Sequence, residues 1–228
     1  MDTHLPLAAV ASKIEHPISM ERTMALVDRV KNILLSPRAE WQVIDAEPAT
    51  VSSLYAGYIA PLSAIPAICQ AIGMALIGIS IPFVGGSYKT PFGSAITNAA
   101  VTYVLGLVSI YIVSLIVDAL APSFGGTKNP IQALKVVAYA YTAAWVGGIF
   151  SLIPALGIVS VIFALYSLYL LYLGLPVLMK SPADKALGYT VVVVLVTMVI
   201  MFVIFYIVRM MGFGYGMGSM GGASPYRP

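Results

Sequence analysis

Hydrogen-bonding aromatic side chains are concentrated in the second half of this 228-residue sequence. Tyrosine recurs at every third position, at Tyr166, Tyr169 and Tyr172, inside an apolar run, and Pro176 follows. Phenols in hydrocarbon need partners, and Pro176 leaves the carbonyl of Tyr172 without its helical donor. The preceding apolar run supplies further groups of the same kind: Tyr139, Tyr141, Thr142 and Trp145. The pattern predicts a polar-bonded helical hairpin or, alternatively, a groove for a lipid headgroup or a partner helix.

Asp118 is the acidic side chain to consider as part of a transport path. Transporters usually place ionisable groups near the middle of the bilayer. Asp118 falls near the end of its apolar run, within reach of water or of Lys128 and Lys135. Two interpretations therefore remain, a helix-end carboxylate at the membrane interface and a member of a transport path.

Residues for common enzymatic sites are scarce. Both histidines, His4 and His16, precede the first apolar run, so neither an H-E-x-x-H zinc site nor a buried Ser–His pair can form. The sequence contains no P-loop and no G-x-S-x-G, and Cys69 is its single cysteine. We therefore predict a protein that is not an enzyme and has no catalytic residues, cofactor or metal site.

The composition is that of an integral membrane protein. Hydrophobic residues make up 60% of the chain and charged residues 9%, whereas a soluble domain carries about 25% charged residues. The mean hydropathy is +0.94. The formal net charge is only +3, and the basic residues lie in short segments between apolar runs. This distribution indicates membrane-topology signals and argues against nucleic-acid binding.

Charge-free stretches divide the apolar region into five predicted membrane spans. The stretch 136–179 would be about 66 Å long as one helix, roughly twice the hydrocarbon thickness, so it must hold two crossings. Pro154 marks the break between them. Pro61, Pro66 and Gln70 leave open whether the first span is one kinked helix or includes a re-entrant segment. The predicted fold class is an all-α, polytopic membrane protein with spans at 57–82, 95–119, 131–152, 156–178 and 184–210.

The N-terminal segment combines an amphipathic helix with an aromatic anchor. Residues 24–52 are predicted to be a cytoplasmic segment, followed by the transmembrane domain at 53–210. Arg29, Lys31 and Trp41 suit a helix that lies on the inner leaflet, and docking against the protein's own loops is the alternative. Residues 1–23 and the Gly- and Met-rich tail 211–228 are predicted to be disordered. The apolar stripe of the helix consists of Leu26, Val27, Val30, Ile33 and Leu34, opposite Asp28, Arg29, Lys31 and Asn32.

Basic residues are distributed unequally between the two sides of the predicted topology. The N-terminal segment and the second and fourth loops hold nine Lys and Arg residues, against three on the other side. By the positive-inside rule, the N-terminus faces the cytoplasm and the C-terminus the periplasm or exterior.

Three segments resemble the Yip family of small multi-span membrane proteins, in its bacterial branch. They are NILLSPRAEWQVI at 32–44, ALKVVAYAYTAAWVGGIFSLIPALG at 133–157 and SLYLLYLGLPVLMKSPADKALGYTVVVV at 167–194. The resemblance implies five transmembrane helices, a cytoplasmic N-terminus, a bacterial cytoplasmic (inner) membrane and no catalytic residues. Eukaryotic members bind Rab-type GTPases, but the D-L-Y-G-P element of their N-terminal domain is absent here, which argues against GTPase binding.

The predicted function is that of a non-enzymatic membrane scaffold or adaptor. Its expected partners are the lipid bilayer, other membrane proteins or a second copy of the chain. The alternative is a channel or carrier for a small solute, ion or lipid that uses Asp118 and the polar face of the third and fourth spans.

Overall fold

The computed structural model describes residues 24–80 and 87–210. The two segments predicted to be disordered, 1–23 and 211–228, lie outside the described residues. Within these ranges, five helices are long and apolar enough to cross a bilayer, which confirms the predicted all-α polytopic fold. They are called spans 1 to 5 and comprise Val51–Ile77, Phe92–Phe124, Pro130–Leu152, Pro154–Leu178 and Ala183–Ile207. Between spans 1 and 2, β1 (Ile79–Ser80) pairs antiparallel with β2 (Ser87–Tyr88).

Span 1 begins at Val51, six residues earlier than predicted, because a capping box fixes its start. The Thr50 hydroxyl accepts from the Ser53 amide at 3.1 Å, and the Ser53 hydroxyl accepts from the Thr50 amide at 2.9 Å. The helix then runs past Pro61 and Pro66 without a re-entrant segment, and π-helical turns at Tyr55–Ile59 and Gly73–Ile77 adjust its winding.

The break between spans 3 and 4 lies where the sequence predicts it. The 3₁₀ turn Gly148–Leu152 ends span 3, Ile153 is extended, and Pro154 begins the next turn. At the start of span 3, Asn129 accepts from the Gln132 amide at 3.2 Å and so caps the helix. Span 5 begins differently, with a 3₁₀ turn at Ala183–Lys185 before its α-helix.

Span 3 occupies the centre of the bundle. In its most apolar window, 72% of residues are buried, against 28%, 28%, 17% and 11% in spans 1, 2, 4 and 5. It also has the lowest mean hydropathy of the five spans, 1.3, which fits a helix whose side chains mostly face protein instead of lipid. Small residues allow the neighbouring helices to approach it: Ala133, Ala138, Ala140, Ala143 and Gly147.

Span 5 is attached to the bundle mainly through its first two turns. Tyr189 is fully buried, donates a hydrogen bond to the carbonyl of Val117 and stacks on Phe124 at 4.8 Å between ring centroids. Beyond Val193, most of the large apolar side chains of the span are exposed. The second half of span 5 therefore faces lipid along most of its surface.

Two short helices precede the spans, α1 at residues 24–35 and α2 at Pro37–Ala46. The predicted amphipathic stripe exists, but it packs on the protein: Ile33 is fully buried, and Leu26, Val30 and Leu34 pack against the same core. The interpretation that this stripe lies on the inner leaflet is therefore wrong for these residues, because the bundle covers them. The alternative, docking against the protein's own loops, is closer to the structure, but the stripe packs on the core of the bundle and not on loops.

Candidate functional site

The N-terminal hairpin, defined as residues 24–47, is joined to the loops of the bundle at the end of α2. Gln132 Nε2 donates to both the carbonyl and Oδ1 of Asp45, each at 3.0 Å. Lys180 Nζ lies 2.6 Å from Asp45 Oδ2. Since Gln132 follows the 2–3 connection and Lys180 belongs to the 4–5 connection, α2 ends at the side of the bundle where both connections lie. We call this side the proximal end and the opposite side the distal end.

Arg29 holds the two helices of the hairpin together. Its guanidinium pairs with Glu40 on α2 and with Glu47 just after it. The same group lies 5.9 Å from the centroid of the Tyr139 ring on span 3. Burial disfavours the charged form of Arg29, but the hydrogen bond to Glu47 and the charges of both carboxylates outweigh it and raise the Arg29 pKa.

Lys135 attaches the hairpin to span 3. Its side chain is buried, and Nζ donates to the carbonyls of Ile44 at 2.8 Å and of Glu47. These carbonyls belong to the last turn of α2 and the residue after it, where free acceptors and the negative end of the helix dipole favour a cation. Lys135 was counted as a basic loop residue in the topology prediction, but in the structure it holds the end of α2 against span 3.

Trp41 lies inside the protein. Its side chain is fully buried, packs edge-to-face on Tyr139 at 6.4 Å between centroids, and covers Gly174 of span 4. Arg29 is likewise held in ion pairs. The prediction that Trp41 and Arg29 contact the membrane surface is therefore wrong: α2 places the Trp41 indole against spans 3 and 4, and Arg29, on α1, points inward to Glu40 and Glu47. Lys31 is exposed, so its contact with lipid stays a prediction.

The tip of the hairpin lies deep along the bundle. Tyr166 of span 4 donates its hydroxyl to the carbonyl of Leu34 at 2.7 Å. Tyr166 precedes the proximal end of span 4, at Leu178, by twelve residues, or about 18 Å. The 25-residue span is about 8 Å longer than a hydrocarbon layer of about 30 Å. Even if all of this excess projects on the proximal side, the tip lies about 10 Å below the hydrocarbon boundary.

A polar contact beneath the hairpin links spans 1 and 3. The hydroxyls of Tyr58 and Thr142 lie 2.6 Å apart, and both residues are buried. The Tyr58 ring packs on Tyr139 at 4.4 Å and on Trp145 at 6.5 Å between centroids. Tyr139 and Trp145 therefore belong to one aromatic cluster with Tyr58 and Trp41, and Tyr141 joins it through Trp145 at 6.1 Å.

Spans 3 and 4 do form a polar-bonded hairpin, but serines make the bonds. The Ala144 amide donates to Ser167 Oγ at 2.9 Å, and Ser160 Oγ donates to the Gly147 carbonyl at 3.1 Å. Of the three tyrosines on span 4, only Tyr166 makes a hydrogen bond within the described residues, and its acceptor is on the N-terminal hairpin.

Tyr169 and Tyr172 remain 42% and 38% exposed and take no part in the polar face. A step of three residues turns a helix by about 300°, so successive tyrosines rotate away from the interface that Tyr166 meets. Pro176 does not end the helix at once; span 4 continues to Leu178.

Asp118 stands apart from these residues. It lies in the last two turns of span 2, at the proximal end, close to Tyr189. One of its carboxylate oxygens is buried without a hydrogen-bond partner. Among the described residues it makes no ion pair with Lys128 or Lys135, the cations that the sequence places nearby. The described residues also contain no cluster of three His, Cys, Asp or Glu side chains that could hold a metal ion.

Several residues of this site carry no strong sequence signal. Glu40 and Glu47 lie seven residues apart and so share a helix face, which is a recognisable spacing, but their common partner Arg29 lies on another helix. From the sequence alone, Gly174 cannot be distinguished from other glycines of membrane helices; only the structure shows its contact with Trp41. Tyr58 falls one residue inside the predicted start of span 1.

Most of the sequence that forms the hairpin and the five spans matches a known protein family. A protein-family model described as the Yip1 domain matches residues 31–205. The match begins in α1 and ends near the end of span 5, so it includes most of the hairpin and all five spans. Searches of curated proteins and of solved structures found no match.

Proposed function

The chain belongs to the Yip1 domain family, and on this premise we propose that it is a non-enzymatic membrane scaffold or adaptor. It would bring together other membrane proteins, or copies of itself, through the N-terminal hairpin and the lipid-facing helices. A Rab-type GTPase is not the partner that we propose, since the D-L-Y-G-P element is missing from the sequence.

The observation that carries this proposal is the way the hairpin is fixed to the bundle. Arg29 closes it internally, Lys135 and Gln132 tie its end to span 3, and Lys180 ties it to the 4–5 connection. A segment held at so many points is a pre-formed surface, and such a surface loses little entropy when it binds a partner.

The outer face of the hairpin supports the same reading. Leu35 at the tip is 72% exposed, and Met24, Val27 and Val43 also leave apolar side chains uncovered. By the depth argument above, Leu35 meets acyl chains, and nearby Lys31 and Arg38 can extend their charges back toward headgroups. The remaining apolar residues are available to a partner protein.

Transport of an ion or small polar solute is the less supported alternative. The acidic group in question, Asp118, lies at the proximal end of span 2, and no acidic or basic side chain lines the clefts between spans 1, 2, 3 and 5, between spans 2, 3, 4 and 5, or between spans 1 and 2. Ion and proton pathways normally require such groups along the route.

Photo-crosslinking tests the proposal at single positions. A photoreactive amino acid at Val43, which is exposed, is expected to capture specific proteins in cells. The same amino acid at Ile44, the buried neighbour, is the matched control and is expected to give only intramolecular products. Equal capture at both positions would contradict a defined docking surface.

Liposomes that contain the purified full chain test the alternative. The scaffold proposal predicts no solute or ion flux above that of empty liposomes. Flux that is abolished by Asp118→Asn or Tyr169→Phe would overturn the proposal in favour of a channel or carrier.

We propose the orientation from the charge count and the location from the resemblance to the bacterial branch of the family. We place the protein in a bacterial cytoplasmic membrane with the proximal end, and the hairpin, in the cytoplasm. A topology reporter fused after residue 215 is expected to be active only on the outer side. Activity of this reporter in the cytoplasm would contradict the orientation.

A further inference from the structure

The distal half of the bundle contains a cleft that the hairpin does not reach. Spans 1, 2, 3 and 5 enclose a cavity of about 470 Å³, within the range of about 300–1,000 Å³ that is typical of single-ligand sites. Gly106 and Ser109 of span 2 form one wall, and Ile204 and Phe205 of span 5 form part of the opposite wall. Its lining is mainly apolar, and it opens between lipid-facing helices.

Three polar side chains line this cleft without a hydrogen-bond partner among the described residues. Gln70 on span 1 and Tyr141 and Trp145 on span 3 each carry a hydrogen-bond donor that no group of the described residues accepts. In a bilayer no bulk water is present to satisfy them, and an unpaired group costs several kcal/mol. A ligand with acceptor oxygens and an apolar body would satisfy these donors and fill the apolar part of the cleft.

The depth of these groups indicates which ligand fits. Gln70 precedes the distal end of span 1, at Ile77, by seven residues, and Trp145 precedes that of span 3, at Leu152, by the same number, about 10 Å in each case. Span 1 exceeds the hydrocarbon thickness by about 10 Å. If all of this excess projects on the distal side, Gln70 lies at the distal hydrocarbon boundary, where glycerolipid esters are found. Span 3, with 23 residues, exceeds the hydrocarbon thickness by only about 5 Å, so Trp145 lies about 5 Å below that boundary, within reach of the same esters through its long side chain.

From this level the cleft continues inward. Tyr141 and Ile110, which line its deep part, lie about 16 Å or more from the distal ends of their spans, near the middle of the bilayer. A polar mouth at the ester level and an apolar interior that ends near the midplane match the dimensions of one acyl chain. No charged side chain lines the cleft, so headgroup charge is not recognised there.

We propose that this cleft binds a glycerophospholipid of the distal leaflet through one acyl chain, with Gln70 and Trp145 donating to its ester carbonyl oxygens. The proposal is independent of the scaffold function, because it uses none of the hairpin contacts. It gives a role to Gln70, a polar residue that otherwise only weakens span 1 as a membrane helix.

Photolabelling tests the site directly. The full chain in vesicles that contain a phosphatidylcholine with a diazirine in its acyl chain is irradiated, and the labelled residues are mapped. Labelling is expected to concentrate on cleft residues such as Ile204 and Phe205, and to be unchanged when the probe carries a phosphatidylglycerol headgroup. Uniform labelling of all lipid-facing residues, or labelling that depends on the headgroup, would overturn the proposal.

Variants distinguish a cleft from ordinary annular lipid. A Cβ atom on Gly106 meets no atom within 4 Å, so Gly106→Leu starts its side chain in open space, projects into the cleft and is expected to reduce cleft labelling at least tenfold. Gln70→Leu is expected to weaken labelling while it raises the melting temperature in lipid-free detergent, because it removes an unpaired donor.

Thr97→Val is the matched control, a polar-to-apolar change in the distal half of span 2 outside the cleft, and it should alter neither result. Wild-type labelling in Gly106→Leu would refute the site. Crosslinks between two copies through the cleft residues would also refute it and assign the cleft to a partner helix.

Discussion

The indole of Trp41 lies directly against the backbone of Gly174. A Cβ atom at position 174 would stand 2.7 Å from Trp41 Cζ2 and 2.7 Å from Val136 Cγ2, which is closer than carbon atoms approach in proteins. We expect Gly174→Ala to destabilise the hairpin by about 1–3 kcal/mol, the usual cost of overpacking. Thermal unfolding in detergent, together with protease release of the N-terminal segment, measures this loss.

A second glycine provides the control. Gly57→Ala, like Gly174→Ala, adds one methyl group to a membrane helix, but at position 57 the Cβ meets open space. Gly57→Ala is expected to leave stability unchanged or slightly raised, because alanine favours helix. Equal destabilisation by both variants would show that the contact with Trp41 is not the cause.

Removal of the Arg29 guanidinium is expected to open the hairpin. Arg29→Met leaves Glu40, which is 7% exposed, as a buried carboxylate without its cation, and such a loss costs at least about 1–3 kcal/mol. Amide hydrogen exchange in residues 24–47 should therefore accelerate about tenfold or more. Lys31→Met on the same helix is exposed and should change nothing, and acceleration by that variant would contradict the ion-pair explanation.

The buried hydroxyl pair should show strong coupling. Tyr58→Phe and Thr142→Val each leave one buried hydroxyl unpaired and should cost about 1–3 kcal/mol, whereas the double variant should cost less than their sum. Unfolding free energies of the four proteins measure the coupling. Additive effects would mean that the two hydroxyls do not bond to each other.

The contact of Tyr166 with the hairpin predicts a change in depth. In Tyr166→Phe the Leu34 carbonyl loses its donor, so the tip is expected to loosen, and a spin label at Leu35 should become more accessible to a water-soluble relaxation agent. Tyr172→Phe is the control, because Tyr172 is exposed and makes no hydrogen bond within the described residues. An equal effect of both substitutions would contradict the assigned role of Tyr166.

The number and approximate positions of the membrane helices could be predicted from this sequence, whereas the contacts between the helices could not. Charge-free length and Pro154 predict five spans and the 3–4 break, because bilayer thickness and the geometry of proline leave few choices. The Asn129 cap was predictable for the same local reason. The early start of span 1 was missed, although Thr50 and Ser53 have the spacing of a capping box.

The site depends on contacts between distant parts of the chain. The apolar stripe around Ile33 is equally suited to a lipid surface and to a protein surface, since both are apolar, so periodicity alone does not decide between them. The sequence suggests solvent-exposed positions for Arg29, Glu40 and Lys135. Their buried or partly buried contacts are seen only when the packing of the helices is known. The tyrosine repeat of span 4 is regular, but among the described residues only Tyr166 makes a hydrogen bond. The rotation of the helix turns Tyr169 and Tyr172 away from the N-terminal hairpin.

The attachment of span 5 at one end links the two sides of the bundle. A second cleft of about 320 Å³, between spans 2, 3, 4 and 5, shares Met201 with the lipid-binding cleft proposed above. Tyr189 fixes the first turns of the span, whereas most large side chains beyond Val193 are exposed. Met201 therefore lies on the less restrained half of span 5. Because Met201 lines both clefts, a displacement of this half of span 5 would change the volume of both.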